Sequence, residues 1–424
     1  MKRMIFLIIL MQPLLSEAQI QFEEFFTNKS FRFDFILGGN FEKIEVYPEQ
    51  MKQEPYWAGS KINLIDNLNL GTYRFRVFDL KSECLIFSKG FSTLFQEWQT
   101  TAEAKKKNKT FYHTAVFPFP KKSIRLEIDA RQWEGHFKTI YTSTIDPDNY
   151  FIIKEKPTPF KSVEILNNGS PAKKVDMVIL AEGYTEQEMD KFVEDAQRVT
   201  GYLFDEEPFK SAKNNFNVKA VLTPSAESGT DIPGENIYKN TVLNSTFYTF
   251  DLPRYLTTSD MKTVYDAAAT VPYDHIYVLV NSDRYGGGGF YNFVSVCTAD
   301  DEQTKPVFVH EFGHGFAGLG DEYYTSSVAY EDFYNLDIEP WELNLTTLTD
   351  FDSKWKNMIQ DSVPVPTPRK PKFSETIGAF EGGGYTSEGI YSPQMDCRMK
   401  SNYATEFCPV CQEAIKKIIQ FYTE

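Results

Sequence analysis

The spacing of apolar residues changes near residue 170, and this change constrains the fold more than any other feature of the chain. Before it, short segments alternate strictly: Phe31-Arg32-Phe33-Asp34-Phe35, Tyr73-Arg74-Phe75-Arg76-Val77 and Ile124-Arg125-Leu126-Glu127-Ile128. A period of two places every second side chain on one buried face of a strand. With turn residues between such segments and no long helical periodicity, residues 19–152 predict an all-β, antiparallel sandwich. His113 and His136 lie far apart among aromatics in this region and read as structural histidines. Residues 153–172 contain prolines and the turn cluster Asn167-Asn168-Gly169-Ser170-Pro171, which reads as a linker.

Beyond the linker, Val175-Asp176-Met177-Val178-Ile179-Leu180 is a nearly continuous apolar run, as in a strand covered on both faces. A helix follows over about 186–204, with Met189, Phe192, Val193 and Ala196 at three-to-four spacing. Thr185 and Glu188 form the capping box that starts it. Strands over 217–222 and 276–280, with a helix over 260–269 between them, continue the alternation. Residues 173–424 therefore predict an α/β (α+β) sheet domain with helices on its faces. The 36 Phe and 24 Tyr of the 424 residues are enough aromatic bulk for two cores.

Charge narrows the class of partner. Lys and Arg total 44 against 59 Asp and Glu, a net charge of −15. Neutralising phosphates takes a basic face, so nucleic acid is excluded as a partner and adsorption to anionic lipid is disfavoured. Lys2 and Arg3, the apolar residues 4–15, and small Ser16 and Ala18 read as a secretory signal peptide spanning 1–18. Pro13 interrupts a stretch already too short to span a bilayer, and no later segment is apolar enough to do so. The expectation is a soluble, exported chain: periplasmic, cell-surface or extracellular. Five Asn-x-Ser/Thr sites begin at Asn28, Asn108, Asn168, Asn244 and Asn344. They matter only in a glycosylating host.

The chemistry concentrates in Val307-Phe308-Val309-His310-Glu311-Phe312-Gly313-His314-Gly315-Phe316-Ala317-Gly318-Leu319-Gly320-Asp321-Glu322-Tyr323. Two histidines four apart on a helix project from one face, one turn from each other. A catalytic zinc ion takes three protein ligands and keeps a fourth position for water. Glu311, beside the first histidine, is placed as general base for that water. Gly318 and Gly320 end the helix and turn the chain back, bringing Asp321 and Glu322 toward the histidines. Asp321 is the compact choice of third ligand. Glu322 is the alternative, or a partner that fixes an imidazole tautomer.

His310-Glu311-Phe312-Gly313-His314 followed by Gly318-Leu319-Gly320-Asp321-Glu322-Tyr323 resembles the signature of the IgA-peptidase family of zinc metallopeptidases. Glu182-Gly183-Tyr184-Thr185, Glu207-Pro208-Phe209, Asn215-Phe216-Asn217 and Glu227-Ser228-Gly229-Thr230-Asp231 resemble further family segments. The N-terminal β region resembles the small domain that precedes the catalytic domain in several members. The resemblance implies a metzincin-like zinc peptidase domain acting on protein or peptide substrates. Two positions depart from the metzincin pattern: Ala317 and Gly320 stand where a glycine and the third ligand are expected, and the acid comes one residue later. The resemblance also implies a methionine turn beneath the metal, which Met399 fits, with Met395 as the spare candidate.

Of five cysteines, Cys397, Cys408 and Cys411 cluster near the end, and Cys84 and Cys297 lie elsewhere. For an exported chain, a disulfide between Cys397 and Cys408 or Cys411 is expected, tying the methionine turn to the last helix. Gly286-Gly287-Gly288-Gly289 reads as a flexible loop leading into an edge strand over 290–296, open to an extended peptide. Tyr323 and Tyr403 are candidates for stabilising an oxyanion. The expected function is a secreted zinc-dependent endopeptidase. The rivals are a zinc amidase acting on cell-wall or glycan-linked substrates and a non-catalytic binding protein, the latter at odds with an intact Glu311.

Overall fold

A computed structural model describes residues 20–154, 160–324 and 333–424. The leader expected over 1–18 lies outside the described residues. The N-terminal region is a sandwich of two four-stranded sheets. Its elements are β1 (Phe26–Gly39), β2 (Ile44–Glu54), β3 (Tyr73–Asp79), β4 (Leu85–Phe91), helix α1 (Leu94–Gln99), β5 (Lys109–Pro120), β6 (Ile124–Arg131), β7 (Phe137–Ile145) and β8 (Ile152–Lys154). One sheet runs β5-β1-β2-β8, the other β4-β3-β6-β7. All pairs are antiparallel except β2 with β8. Phe31, Phe33, Phe35, Phe75, Phe87 and Phe117 fill the space between the sheets, with the Phe31 and Phe117 rings stacked at 5.0 Å.

The alternation in β3 and β6 behaves as expected: one face is buried and the other partly exposed. In β1 it does not. Arg32 and Asp34, the polar half of the pattern, are fully buried because the second region packs on that face. Arg32 pairs with Asp34 at 2.7 Å, and its Nη1 reaches Asp266 of the second region at 2.6 Å. Lys52 joins the same carboxylate at 2.6 Å. A buried charge survives only when paired and hydrogen-bonded, which this network provides. His113 is buried beside the rings of Phe35 and Phe293 and is structural, whereas His136 is exposed.

The second region is built on a six-stranded sheet. Its elements are β9 (Lys161–Leu166), β10 (Val175–Glu182), α2 (Met189–Phe204), β11 (Phe216–Leu222), α3 (Met261–Ala268), β12 (His275–Val280), β13 (Gly287–Phe290), β14 (Val294–Thr298), α4 (Thr304–Ala317), a hairpin of β15 (Phe380–Gly383) and β16 (Thr386–Ser392), and α5 (Pro409–Thr423). The sheet order is β13-β14-β12-β10-β11-β9, parallel in the middle and antiparallel at both edges. Part of the stretch read as linker is therefore sheet: Lys161–Leu166 is an edge strand paired with β11. The capping box of Thr185 and Glu188 is present and leads through one turn of 3-10 helix into α2.

Every residue of β10 is buried, because its two faces serve two cores. Met177 and Ile179 pack with α2, α4 and α5, while Val178 and Leu180 pack with α3 and with Leu94 of the sandwich region. Helices on both faces of the sheet explain why a strict polar alternation is missing there.

Candidate active site

Helix α4 lies on the sheet beside β13 and β14. Gly318 ends it in the left-handed conformation (φ 60°), with its N–H donated to the His314 carbonyl at 3.0 Å. A Cβ at Gly318 would meet the Trp341 ring at 2.8 Å, so both the conformation and the space call for glycine. The chain then doubles back and presents Asp321 to the exposed edge of the two histidines.

His310 Nε2 and His314 Nε2 stand 3.0 Å apart, and Asp321 Oδ1 lies 3.2 and 3.3 Å from them. Both Nδ1 atoms face backbone carbonyls: His310 that of Arg398 at 3.0 Å, His314 that of Leu319 at 2.6 Å. A carbonyl only accepts, so each Nδ1 carries a proton, and Nε2 is the atom each ring has left to offer an ion. Asp321 Oδ1 is buried and accepts no hydrogen bond. Three ligand atoms thus converge on one point. A tetrahedral zinc ion with ligands at about 2.0–2.1 Å separates its donors by roughly 3.3 Å, so the residues present fit that ion.

The electrostatics favour a cation at this point. Burial opposes charge on His314, but the Asp321 carboxylate outweighs it and raises the imidazole to about 10. Burial likewise opposes ionisation of Asp321, yet the two imidazoles hold it well below the usual carboxylate range. Glu311, one residue from the first histidine, is pushed up by burial, with the Asp321 charge adding to the effect.

The structure brings Asp321 to the histidines and turns Glu322 away. Glu322 is fully buried, accepts from Asn344 Nδ2 at 3.0 Å and faces the thiols of the C-terminal cysteines. It fixes neither imidazole, since backbone carbonyls do that. Met399 is fully buried beneath α4, where a Cβ on Gly313 would come within 2.8 Å of its Sδ. Its neighbour Arg398 supplies the carbonyl that holds His310, and its own carbonyl accepts from the Glu322 N–H at 2.8 Å. Tyr323 lines the cleft, and burial with the Asp321 charge keeps its phenol protonated. Tyr403 stands on the cleft rim, 90% exposed.

Four features escaped the sequence. Tyr385 donates to Asp321 Oδ2 at 2.7 Å and fixes the carboxylate's orientation. Its only sequence signal is the preceding glycine run 382–384, which sets a tight turn. Asn344 is no glycosylation site: it is fully buried and bonds both the N–H and the carbonyl of Gly320 at 2.8 Å. Gly287–Gly289 of the glycine run are strand rather than loop, and Val294–Thr298 lies inside the sheet rather than at its edge. The edge is β13, and its glycines are required: a Cβ on Gly287 would sit 2.9 Å from Glu311 Oε1, and one on Gly289 2.4 Å from the Glu311 carbonyl. Finally, the sandwich region contributes Glu97 to the cleft, where it accepts from the Tyr255 hydroxyl.

The cleft above these groups measures about 470 Å³ and is walled by β13, Arg254, Tyr255, Tyr323 and Tyr385. Among the described residues no helix is long and apolar enough to cross a membrane. The structure draws no bond at the expected disulfide: Cys397 and Cys411 Sγ stand 3.8 Å apart against about 2.05 Å in a bond.

No curated protein matches the chain. Residues 163–374 and 369–419 match the family described as IgA Peptidase M64, and residues 21–142 match the one described as Peptidase M64 N-terminus. The first match contains the histidine helix, Asp321 and Met399, and the second covers most of the sandwich. The chain therefore belongs to the IgA peptidase M64 family, a family of peptidases.

Proposed function

We propose that this peptidase is a zinc-dependent endopeptidase whose ion is held by His310, His314 and Asp321. The observation that carries this reading is the meeting of three ligand atoms, two imidazole nitrogens and a carboxylate oxygen, at 3.0–3.3 Å from one another. Bound there, zinc supplies a Lewis acid that brings the pKa of water to about 7 and polarises a carbonyl. Glu311 takes the proton of the attacking water and returns it to the leaving amine nitrogen. Its burial beside β13 raises its basicity above that of an exposed glutamate. Tyr385 positions Asp321, and Tyr323 offers a protonated hydroxyl to charge developing on the substrate oxygen.

Substrate meets the site along β13. That strand is the last of the six-stranded sheet; Tyr255 bridges its outer side at Gly287, and the rest of that side, beside Glu311, suits an extended peptide. The same edge favours a peptide over the cell-wall or glycan-linked substrates of an amidase, and Glu311 lining the cleft beside the donor set argues against a binding protein without turnover. The basic and apolar sequence of residues 1–18 supports export, to the periplasm, the cell surface or outside the cell.

Metal content and casein hydrolysis, measured side by side for wild type and Glu311→Ala, test the reading. Zinc in both with turnover only in wild type is expected. Wild-type protein that cleaves casein without any metal would overturn it.

A further inference from the structure

A second set of metal-ligating side chains lies behind the cleft. Glu322, Cys397, Cys408 and Cys411 bring one ligand atom each to within 4.8 Å of all the others, and all four residues are fully buried. Cys411 Sγ is 3.2 Å from Glu322 Oε1 and 3.8 Å from Cys397 Sγ. Glu322 Oε2 is buried and accepts no hydrogen bond. A carboxylate oxygen left so, inside a core, is costly without a cation.

The surroundings suit thiolates. Cys408 caps the start of α5 and Cys411 sits in its first turn, where unpaired backbone N–H groups and the helix dipole favour negative sulfur. The Cys408 N–H donates to Cys397 Sγ at 3.2 Å. Lys400 donates to the Glu322 carbonyl at 3.0 Å and brings positive charge alongside. A disulfide would use two of the thiols, need an oxidant to take two hydrogens, and leave the third thiol and the carboxylate buried together. An ion uses all four groups.

We propose that Glu322, Cys397, Cys408 and Cys411 hold a second zinc ion, structural rather than catalytic. Four protein donors close the coordination and leave no position for water, and three soft sulfurs select zinc over calcium or magnesium. Binding releases the thiol protons to solvent as zinc–sulfur bonds form, with no change of oxidation state. The ion joins three segments that shape the cleft: the residue after Asp321, the loop whose Arg398 carbonyl holds His310, and the start of α5. It therefore acts as a clamp on the first site without touching substrate.

The proposal stands apart from the reaction assigned to the cleft, and cobalt distinguishes the two sites. The full chain without its leader, stripped of metal under anaerobic reducing conditions and reloaded with cobalt(II), should bind two ions per chain. It should also show a thiolate-to-cobalt charge-transfer band in the near ultraviolet. A His310→Ala/His314→Ala variant should keep the band and lose one ion. A Cys408→Ser/Cys411→Ser variant should lose the band. The wild-type spectrum needs no variant to fold. Absence of the band, or an intact mass in wild type lighter by two hydrogens with the band missing, overturns the proposal.

Discussion

Gly289 sits where β13 crosses the active-site helix, and a methyl group there would stand 2.4 Å from the Glu311 carbonyl and 3.0 Å from His314 Cβ. Gly289→Ala should therefore cost at least tenfold in kcat/KM against a peptide, with zinc content as the control. Glu311→Ala should lower kcat by roughly 10²–10⁴-fold, the span of a lost general base. Tyr385→Phe should retain the fold but weaken zinc binding by about 10–100-fold, as loss of a ligand's hydrogen-bond partner does, which competition with a chromogenic chelator would measure. At this scale the local part of the site was legible. His310, Glu311 and His314 share one helical turn, and Asp321 follows one glycine turn later. Tyr385 comes 64 residues beyond Asp321, and nothing in its neighbours announces the contact.

Among the elements, β10 and α2 could be read from spacing because hydrophobic period and capping residues act locally. The misread elements are those whose pattern is set by a distant partner. β1 alternates as a half-exposed strand would, yet Arg32 is buried because Asp266 of α3 covers it. Arg32→Met would leave Asp34 and Glu54 buried without their cation, and should destabilise the fold by roughly 3–5 kcal/mol in urea titrations. No change would mean that the two regions are not joined through this network. The glycines of β13 look like a loop in sequence because strands disfavour glycine. Only the approach of α4 explains them.

The two regions of the whole molecule share buried polar contacts, and a partly apolar one at His113. Burial against Phe35 and Phe293 holds this histidine neutral down to about pH 3, whereas the unfolded chain protonates it near 6.5. Between those values the unfolded state binds the extra proton, so acid favours unfolding. His113→Leu removes that term. The stability of wild type relative to this variant should fall by roughly 2–3 kcal/mol between pH 7 and pH 4.5, as urea unfolding would show. A difference independent of pH would mean that His113 is already solvated. The division into a sandwich and a sheet domain was visible in the change of period, but their contact was not, since it pairs residues as distant in sequence as Arg32 and Asp266, 234 positions apart.

The central claim concerns where the ion sits and what holds it. Anomalous scattering at the zinc edge, from crystals of protein that cleaves casein, tests it directly. A peak bounded by His310 Nε2, His314 Nε2 and Asp321 Oδ1 is the predicted result. No peak at that position, or one held by a different carboxylate, would contradict the account.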